Sequence, residues 1–360
     1  MNETSYSVLG VMSGTSLDGI DVAYIHFNKK ENWTFSIEAA ETFPYSQEWK
    51  ESLRSLHLAS TEELELENTR YTRLLGQTIL KFIHSNQIEN IDAVCSHGHT
   101  ILHEPNKGIT LQIGNLPLLA SQLNQVVVCD FRSQDVAMGG QGAPLVPVGD
   151  KLLFSEYDAC LNLGGFANGS YSQNGIMIAY DLCAVNTVLN FLAEKKGVPF
   201  DKDGVLAKNG TLIPDFFNEL EGLSFYKKTH PKSLGIEWVY ATLFPLLEKH
   251  KTNSIEDLIH TYTFHISKVI GISFSAGQKV LVTGGGAKNT YLMSLIREHS
   301  DALMVVPGEM VVDFKEALIF GFLGILRLRN QVNCLASVTG VSKNHSSGSI
   351  FYLSLIHISE

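Results

Sequence analysis

The chain has 360 residues, which is long for one compact domain and suits two. Hydrophobic residues make up 44% of it and charged residues 18%, which is ordinary for a well-packed soluble enzyme. The net charge of −10 argues against general nucleic-acid binding, which needs a basic face, but it is compatible with a single bound nucleotide.

Five cysteines are scattered along the chain without a CxxC pair, at positions 95, 129, 160, 183 and 334. This pattern predicts a reducing compartment and no zinc cluster or other metal site. The N-terminus lacks a basic region followed by an apolar run, and the longest apolar stretch, residues 317–326, is too short to span a bilayer. We therefore expect a cytoplasmic protein that acts without a membrane partner.

The chain opens with a predicted β-hairpin. An apolar strand at 7–12 runs into the polar turn 13–19, and a second apolar run at 20–27 follows at once. Residues 47–88 have apolar positions at helical spacing. Short apolar strands are then predicted at 91–95, 110–113 and 126–130, ahead of a glycine-rich loop at 139–144.

The second half begins with the same pattern. A strand at 158–163 is followed by a tight glycine turn at 164–168 and by a strand at 176–180. The remaining predicted elements are helices at 183–196 and 254–275, a strand at 279–283 that ends in three glycines, and a helix at 314–329.

Two halves that each start with strand, glycine turn and strand predict a duplicated α/β architecture of two lobes with a cleft between them. We place the N-terminal lobe at 1–145, with the first glycine turn and part of a substrate pocket. The C-terminal lobe is 146–360, with the other two turns. A return of the chain to the first lobe near 315–340 is left open.

The three glycine turns predict a nucleotide site. Glycine lets a backbone amide approach phosphate oxygens because it has no Cβ, so a side chain at Gly14 or Gly19 is expected to obstruct the phosphates. A GxxxxGK[ST] P-loop is absent. One such turn alone would be read as a polar β-turn, whereas three turns that follow strands favour a bound nucleotide if all three face one cleft.

Asp181 follows the predicted strand 176–180, and the carboxyl ends of strands are the usual place for chemistry in open α/β sheets. A carboxylate there can deprotonate an attacking hydroxyl or water while ATP supplies the phosphoryl group. The alternative is that Asp181 caps the helix predicted from 183. The sequence leaves both readings open.

The segment from Ser96 to His103 contains three histidines. His97 and His99 would share one face of a strand and could bind zinc, but no acidic or thiol ligand stands at a suitable spacing. The glycine between them favours a loop. Hydrogen bonding of His97 to a substrate and a purely structural loop are the two readings preferred over zinc.

At several motifs the sequence resembles the anhydro-N-acetylmuramic acid kinases. The resemblance extends from about residue 7 to about residue 340. The matching motifs are at 10–21, 96–100, 111–114, 130–132, 139–147, 162–168, 231–233, 284–289 and 315–318.

The resemblance implies the two-lobed actin/hexokinase-like (ribonuclease H-like) fold and the use of ATP with Mg²⁺. The family opens the 1,6-anhydro ring of its sugar with water and phosphorylates O6, giving N-acetylmuramic acid 6-phosphate and ADP in peptidoglycan recycling. Asp181 would be the general base, and Arg132 and Glu316 would lie in the sugar pocket. The family is commonly dimeric, and a homodimer is left open here.

The resemblance also implies three groups of ATP contacts. They are Gly14, Thr15, Ser16, Leu17, Asp18, Gly19, Ile20 and Asp21 in a first phosphate loop, Gly164, Gly165 and Asn168 in a second, and Gly284, Gly285, Gly286 and Asn289 in an adenosine motif.

The segment after Asp181 departs from the family pattern. The family usually reads Thr-Gly-Pro-Gly-Asn there, whereas this chain has Leu-Cys-Ala-Val-Asn at 182–186. Loss of two glycines would stiffen the segment and hinder close backbone approach to the sugar. A kinase of a related sugar and an inactive ATP-binding homologue are therefore kept as alternatives.

Overall fold

The computed structural model describes residues 4–14, 16–229 and 232–352. The chain divides into two compact units. The first unit consists of Met1–Leu153 together with Phe314–Glu360, and the second is Phe154–Asp313. Within the described ranges, no helix combines the length and the apolar character needed to cross a membrane.

The strands have the following bounds: β1 Thr4–Ser13, β2 Gly19–Lys29, β3 Trp33–Pro44, β4 Ala93–Glu104, β5 Ile109–Ile113, β6 Val127–Cys129, β7 Ala159–Leu163, β8 Phe166–Gln173, β9 Ile176–Ala184, β10 Lys279–Thr283, β11 Leu303–Val305 and β12 Ser349–Phe351. They form one sheet in each unit, and the α/β prediction is confirmed.

The sheet of the first unit has the strand order β12-β6-β4-β1-β2-β3, with β5 paired to β4 outside this path. β1 is antiparallel to β2 and parallel to β4. The sheet of the second unit has the order β11-β10-β7-β8-β9. Its first three strands are parallel, and β8 and β9 extend it as an antiparallel pair, so β9 is an edge strand.

The α-helices have the following bounds: α1 Gln47–Ser55, α2 Thr61–Ser85, α3 Leu118–Leu123, α4 Ser133–Ala137, α5 Pro147–Leu153, α6 Asn186–Glu194, α7 Val205–Lys208, α8 Pro214–Gly222, α9 Ile236–Trp238, α10 Phe244–Lys249, α11 Ile255–Gly271, α12 Thr290–Glu298, α13 Glu309–Leu328 and α14 Ala336–Thr339. A π-helical turn, Val239–Leu243, joins α9 to α10.

The opening elements confirm the sequence prediction. β1 and β2 form the expected hairpin, with Met12 opposite Asp21. The helical pattern at 47–88 becomes α1 and α2. A capping box starts α2, in which Ser60 accepts from the Glu63 amide and the Glu63 carboxylate accepts from the Ser60 amide at 2.8 Å.

Two predicted elements are corrected. The histidine segment is not a loop but part of β4, because Gly98 adopts a φ of +72° and lets the strand continue through a shift in its register with β1. The last long helix, α13, begins at Glu309 and not at 314. Its backbone is non-helical at Phe314, the residue at which the chain returns to the first unit.

β1 and α13 meet in a very close contact within the first unit. A Cβ on Gly10 would lie 2.0 Å from the carbonyl oxygen of Ala317 and 3.1 Å from the Ile25 side chain. No other residue type leaves room for the helix backbone at this distance. Residues 317–326 of α13 are buried, as predicted for this apolar stretch.

We predict that Gly10→Ala lowers the free energy of unfolding by about 1–3 kcal/mol, because overpacking would push β1 and α13 apart. Thermal unfolding followed by circular dichroism measures the effect. Gly222→Ala is the matched control, since a Cβ on Gly222 would meet no atom within 4 Å. Equal stability of the two variants would contradict the prediction.

Candidate active site

Two of the predicted glycine turns lie side by side in the second unit. β7 and β10 are parallel neighbours, with Asn162 opposite Thr283, so both strands end at the same edge of the sheet. The turn at 164–165 follows β7, and the turn at 284–286 follows β10. The structure therefore brings together the predicted second phosphate loop and the predicted adenosine motif.

Close packing requires glycine at two positions of the turn at 284–286. Gly284 has a φ of +84°, and its Cβ would lie 2.6 Å from Asn162 Oδ1. A Cβ on Gly286 would lie 2.8 Å from a side chain at the end of β7. Gly285 is exposed, and the nearest atom to its Cβ would be Asn186 Nδ2 at 3.7 Å. The backbone at Gly285 is thus open to an approaching ligand.

Asn186 is bonded to the end of β7 and to the turn that follows it. Its amide donates to the Gly164 carbonyl at 3.2 Å, and its Nδ2 donates to the Leu163 carbonyl at 3.1 Å. It is also the first residue of α6. Asn186 is absent from the predicted site, although it is the one residue of 182–186 that agrees with the family pattern.

Asn289 of the predicted adenosine motif has a structural role. It is the N-cap of α12, where its Oδ1 accepts from the Leu292 amide at 2.9 Å. This bond satisfies one of the free amides of the first helical turn. Contact of Asn289 with ATP stays a prediction.

Three polar residues form a row across the sheet of the second unit. Asn162 on β7 lies opposite Asn168 on β8, and Asn168 lies opposite Asp181 on β9. Residues directly opposite each other place their side chains on the same face of a sheet. The row places Asn168, a predicted ATP contact, next to Asp181, the predicted base. It also includes Asn162, which is the first residue of the motif at 162–168 but is not among the predicted site residues.

The Asp181 carboxylate is held by the segment from Lys232 onward. Its Oδ2 accepts from the Leu234 amide at 2.8 Å, and its own amide donates to the Lys232 carbonyl at 2.9 Å. Burial raises the pKa of Asp181, while hydrogen bonds from the Leu234 amide and the Ser233 side chain lower it. The balance leaves a carboxylate more basic than an ordinary aspartate, which suits a general base.

The backbone around Asp181 differs from the prediction. Asp181 lies inside β9 and not at its carboxyl end, because pairing with β8 continues beyond it. The helix-capping reading is wrong, since α6 begins at Asn186, later than the predicted 183, and has Val185 in the N-cap position. The turn predicted at 164–168 is also shorter, because Asn168 belongs to β8.

The first glycine turn lies between β1 and β2 in the first unit. Leu17 has a φ of +61°, and its amide donates to the Gly14 carbonyl at 3.2 Å. Ser16 and Asp18 are exposed, and Thr15 lies outside the described residues. The nearest atom to a Cβ on Gly14 would be Ser16 Oγ at 3.5 Å, so the backbone is accessible on this side.

The other residues of this predicted loop have structural roles. A Cβ on Gly19 would lie 2.4 Å from the Phe43 carbonyl oxygen, so packing against β3 by itself requires glycine here, and contact of Gly19 with phosphate stays a prediction. Ile20 is buried. The Asp21 carboxylate accepts from Thr42 Oγ1 at 2.6 Å.

Arg132 is fixed by protein contacts in the first unit. Its Nε and Nη2 lie 3.0 and 2.9 Å from His97 Nε2, and its Nη1 donates to the Gly142 carbonyl at 2.6 Å. His97 Nδ1 donates to the Gly98 carbonyl at 2.9 Å, which leaves Nε2 as the acceptor. Burial and Arg132 lower the pKa of His97, so this ring is neutral and orients the guanidinium.

Glu316 is close enough to Arg132 for their charges to interact. Glu316 retains solvent exposure, but desolvation by the surrounding protein raises its pKa. The charge of Asp21 adds to this increase, and the charge of Arg132 opposes it. Burial lowers the pKa of Arg132 to about 10, against the opposing effect of Glu316. The three predicted sugar-pocket residues, His97, Arg132 and Glu316, are thus neighbours in the first unit.

The described residues fit a nucleotide in two respects. The backbone is accessible at Gly14 and at Gly285, where no Cβ stands between the chain and a phosphate or adenosine group. Asp18 offers an exposed carboxylate, the ligand type that Mg²⁺ prefers.

The sequence matches the family model for anhydro-N-acetylmuramic acid kinase over residues 6–353. Relatives with this name are similar along nearly their whole length. The one from Pseudomonas putida is 34% identical over 364 residues, which cover 95% of this chain and 98% of the relative. Those from Aliivibrio fischeri and Sulfurimonas denitrificans are 31% and 30% identical with the same coverage.

The family model and the named relatives together define the class of this protein, which is a sugar kinase. The match across almost the whole chain narrows the class, and the chain belongs to the anhydro-N-acetylmuramic acid kinase family.

We predict that Gly14→Val raises the KM for ATP about tenfold or more, equivalent to about 1.4 kcal/mol, and leaves the unfolding temperature nearly unchanged. The reason is that its side chain would occupy space open to a ligand. Gly19→Ala should lower the unfolding temperature and leave the KM for ATP nearly unchanged, because its Cβ would meet the Phe43 carbonyl. Steady-state kinetics and thermal unfolding of both variants test the assignment, which fails if Gly14→Val binds ATP normally.

We predict that Ser233→Ala moves the acid limb of the kcat/KM profile to higher pH. The variant loses a hydrogen bond that lowers the pKa of Asp181, and activity needs the ionised carboxylate. Ser172→Ala, at an exposed position of β8, is the control. An acid limb at the same pH in Ser233→Ala and wild type would count against Asp181 as the base.

Proposed function

We propose that this protein uses ATP to convert 1,6-anhydro-N-acetylmuramic acid into N-acetylmuramic acid 6-phosphate and ADP. Membership of the family supports the substrate and the reaction type. The single observation that carries the proposal is the position of Asp181. It lies in one row with Asn168 and Asn162, on a sheet whose neighbouring strands end in two glycine turns.

Asp181 would act as the general base. It removes a proton from water as the water attacks the anomeric carbon, the C1–O6 bond breaks, and O6 accepts the γ-phosphoryl group of ATP. The Leu234 amide and Ser233 orient the carboxylate, and burial raises its pKa and so its basicity. Bound Mg²⁺ would neutralise charge on the phosphates, with Asp18 as its candidate carboxylate ligand.

Arg132 and Glu316 would bind the sugar. A guanidinium offers several donors in a fixed plane, and a carboxylate offers acceptors, so the pair suits a ligand that carries both hydroxyl and carboxylate groups. His97 would act through Arg132, because both of its ring nitrogens already have partners within the protein. These contacts favour a role of His97 in orienting Arg132 over direct hydrogen bonding of His97 to the sugar.

The altered segment at 182–185 is the main argument for a different sugar. Its four side chains are fully or almost fully buried in the core of the second unit. They pack against apolar neighbours, so their chemistry does not select a substrate by contact. Retention of the carboxylate and of the accessible glycine turns favours an active kinase over an inactive homologue.

We also propose that the protein works in the cytoplasm. All five cysteines are free, as a reducing compartment maintains them. A homodimer stays a proposal for which the family alone gives support. The acidic net charge supports a small-molecule partner and not nucleic acid.

The test is phosphoryl transfer from ATP to 1,6-anhydro-N-acetylmuramic acid, with mass spectrometry of the sugar product. We expect a product heavier by one phosphate and one water. Asp181→Asn should lower kcat by roughly 10²–10⁴-fold with ATP binding retained, as for loss of a general base. Asp215→Asn, at an exposed position of α8, is the control and should behave as wild type.

The outcomes separate the alternatives. ATP binding without product from this sugar would favour a related substrate. Near-normal turnover of Asp181→Asn would remove the assigned role of Asp181. Absence of ATP binding in the folded wild-type protein would contradict a kinase.

A further inference from the structure

Three buried side chains of the first unit, none of them among the predicted site residues, have their ligand atoms close together. They are Asp135 on α4, Cys334 and His345, with exposed fractions of 0%, 0% and 8%. Their carboxylate oxygen, sulfur and ring nitrogen all lie within 4.8 Å of one another. No other group of three histidine, cysteine or acidic residues within the described part of the chain has its metal-binding atoms this close together.

The distances within this group are close to those of a metal site. Cys334 Sγ lies 3.0 Å from Asp135 Oδ1, and His345 Nε2 lies 3.6 Å from the same oxygen. Ligands around a tetrahedral zinc ion stand about 3.3–3.8 Å apart, given metal–ligand bonds of about 2.0–2.3 Å. Small side-chain shifts would therefore make room for the ion.

His345 supplies the second, independent observation. Its Nε2 is buried and forms no hydrogen bond with the described residues, although it faces Asp135. Its Nδ1 lies 3.4 Å from the Lys343 carbonyl. A ring that donates from Nδ1 to a backbone carbonyl presents a lone pair on Nε2, which is the arrangement of many metal-binding histidines. The unsatisfied nitrogen is thus aimed at the other two ligands.

The backbone holds the cysteine and the histidine in place. Cys334 and His345 are opposed in an antiparallel bridge and exchange two hydrogen bonds, of 3.1 and 3.2 Å. Asp135 is fixed from its other side, where Oδ2 accepts from the Gly142 amide at 2.7 Å. The three ligands are therefore positioned before any metal binds.

We propose that Asp135, Cys334 and His345 bind one zinc ion. Thiolate, imidazole and carboxylate are the ligand set that zinc accepts, and structural zinc sites are usually four-coordinate. The fourth position would go to water or to Thr339, whose hydroxyl lies 2.8 Å from Asp135 Oδ1. Binding displaces the thiol proton of Cys334. The proposal departs from the prediction of no metal site.

A zinc ion at this site would crosslink two segments of the first unit. One contains Cys334 and His345, and the other contains α4 and the glycine loop that follows it. This loop includes Gly142, whose carbonyl accepts from Arg132. Zinc would stabilise the fold around Arg132 without contacting a substrate, so the proposal is independent of the proposed function.

The experiment is a zinc titration of the full chain under reducing conditions after removal of bound metal with a chelator. Competition with a chromophoric chelator gives the affinity, and elemental analysis gives the stoichiometry. We expect one zinc per chain and a higher unfolding temperature with zinc. Cobalt should give a thiolate-to-metal absorption band in the same protein.

Cys334→Ser and His345→Gln should weaken zinc binding at least about tenfold. Cys160→Ser, which alters a buried cysteine of the second unit, should leave binding unchanged. Cobalt binding without a thiolate band in the wild type, or equal zinc affinity in all three variants, would overturn the proposal. Absence of zinc binding by the folded wild type would overturn it as well.

Discussion

The contact of Gly10 with the Ala317 carbonyl is the constraint on which the first unit depends. β1 lies in the middle of its sheet, and α13 can approach it closely because Gly10 has no side chain. The same contact fixes the residue before Ala317, which is Glu316. A helix displaced by the width of a methyl group would carry this carboxylate away from Arg132, whose own position is set by His97 and Gly142. Packing at a glycine therefore determines the electrostatics of the predicted sugar pocket.

In the second unit the predicted base, Asp181, lies on β9, which is an edge strand of the sheet. Edge strands present unpaired amides and carbonyls. Here the segment that begins at Lys232 satisfies one of these groups, because the Asp181 amide donates to the Lys232 carbonyl. The same segment supplies the Leu234 amide to the carboxylate. One stretch of chain thus pairs with an amide of the edge strand and lowers the pKa of Asp181 against the effect of burial, which couples the fold to the basicity of this carboxylate.

Local patterns in the sequence predicted the hairpin β1–β2, the helices at 47–88 and the buried character of 317–326, because each depends on residues close in the chain. The sequence could not reveal that Asn162, Asn168 and Asp181 share a row, since strand register is set by tertiary packing. Gly19 shows a second limit: a glycine required by a neighbouring strand looks the same as one required by a ligand. Cys334 and His345 were missed as partners of Asp135 because about 200 residues separate them from it.

The buried segment 182–185 shows how a departure from a family pattern can be compatible with the same chemistry. Two glycines in a loop would leave the backbone mobile, whereas Leu182, Cys183 and Val185 are packed in the core. Their burial extends β9 past Asp181 and delays the start of α6 to Asn186. Asn186, which agrees with the family, still reaches the turn after β7. A packed strand therefore stands where the family pattern has two glycines, and the two polar residues that agree with this pattern, Asp181 and Asn186, lie on either side of the buried segment.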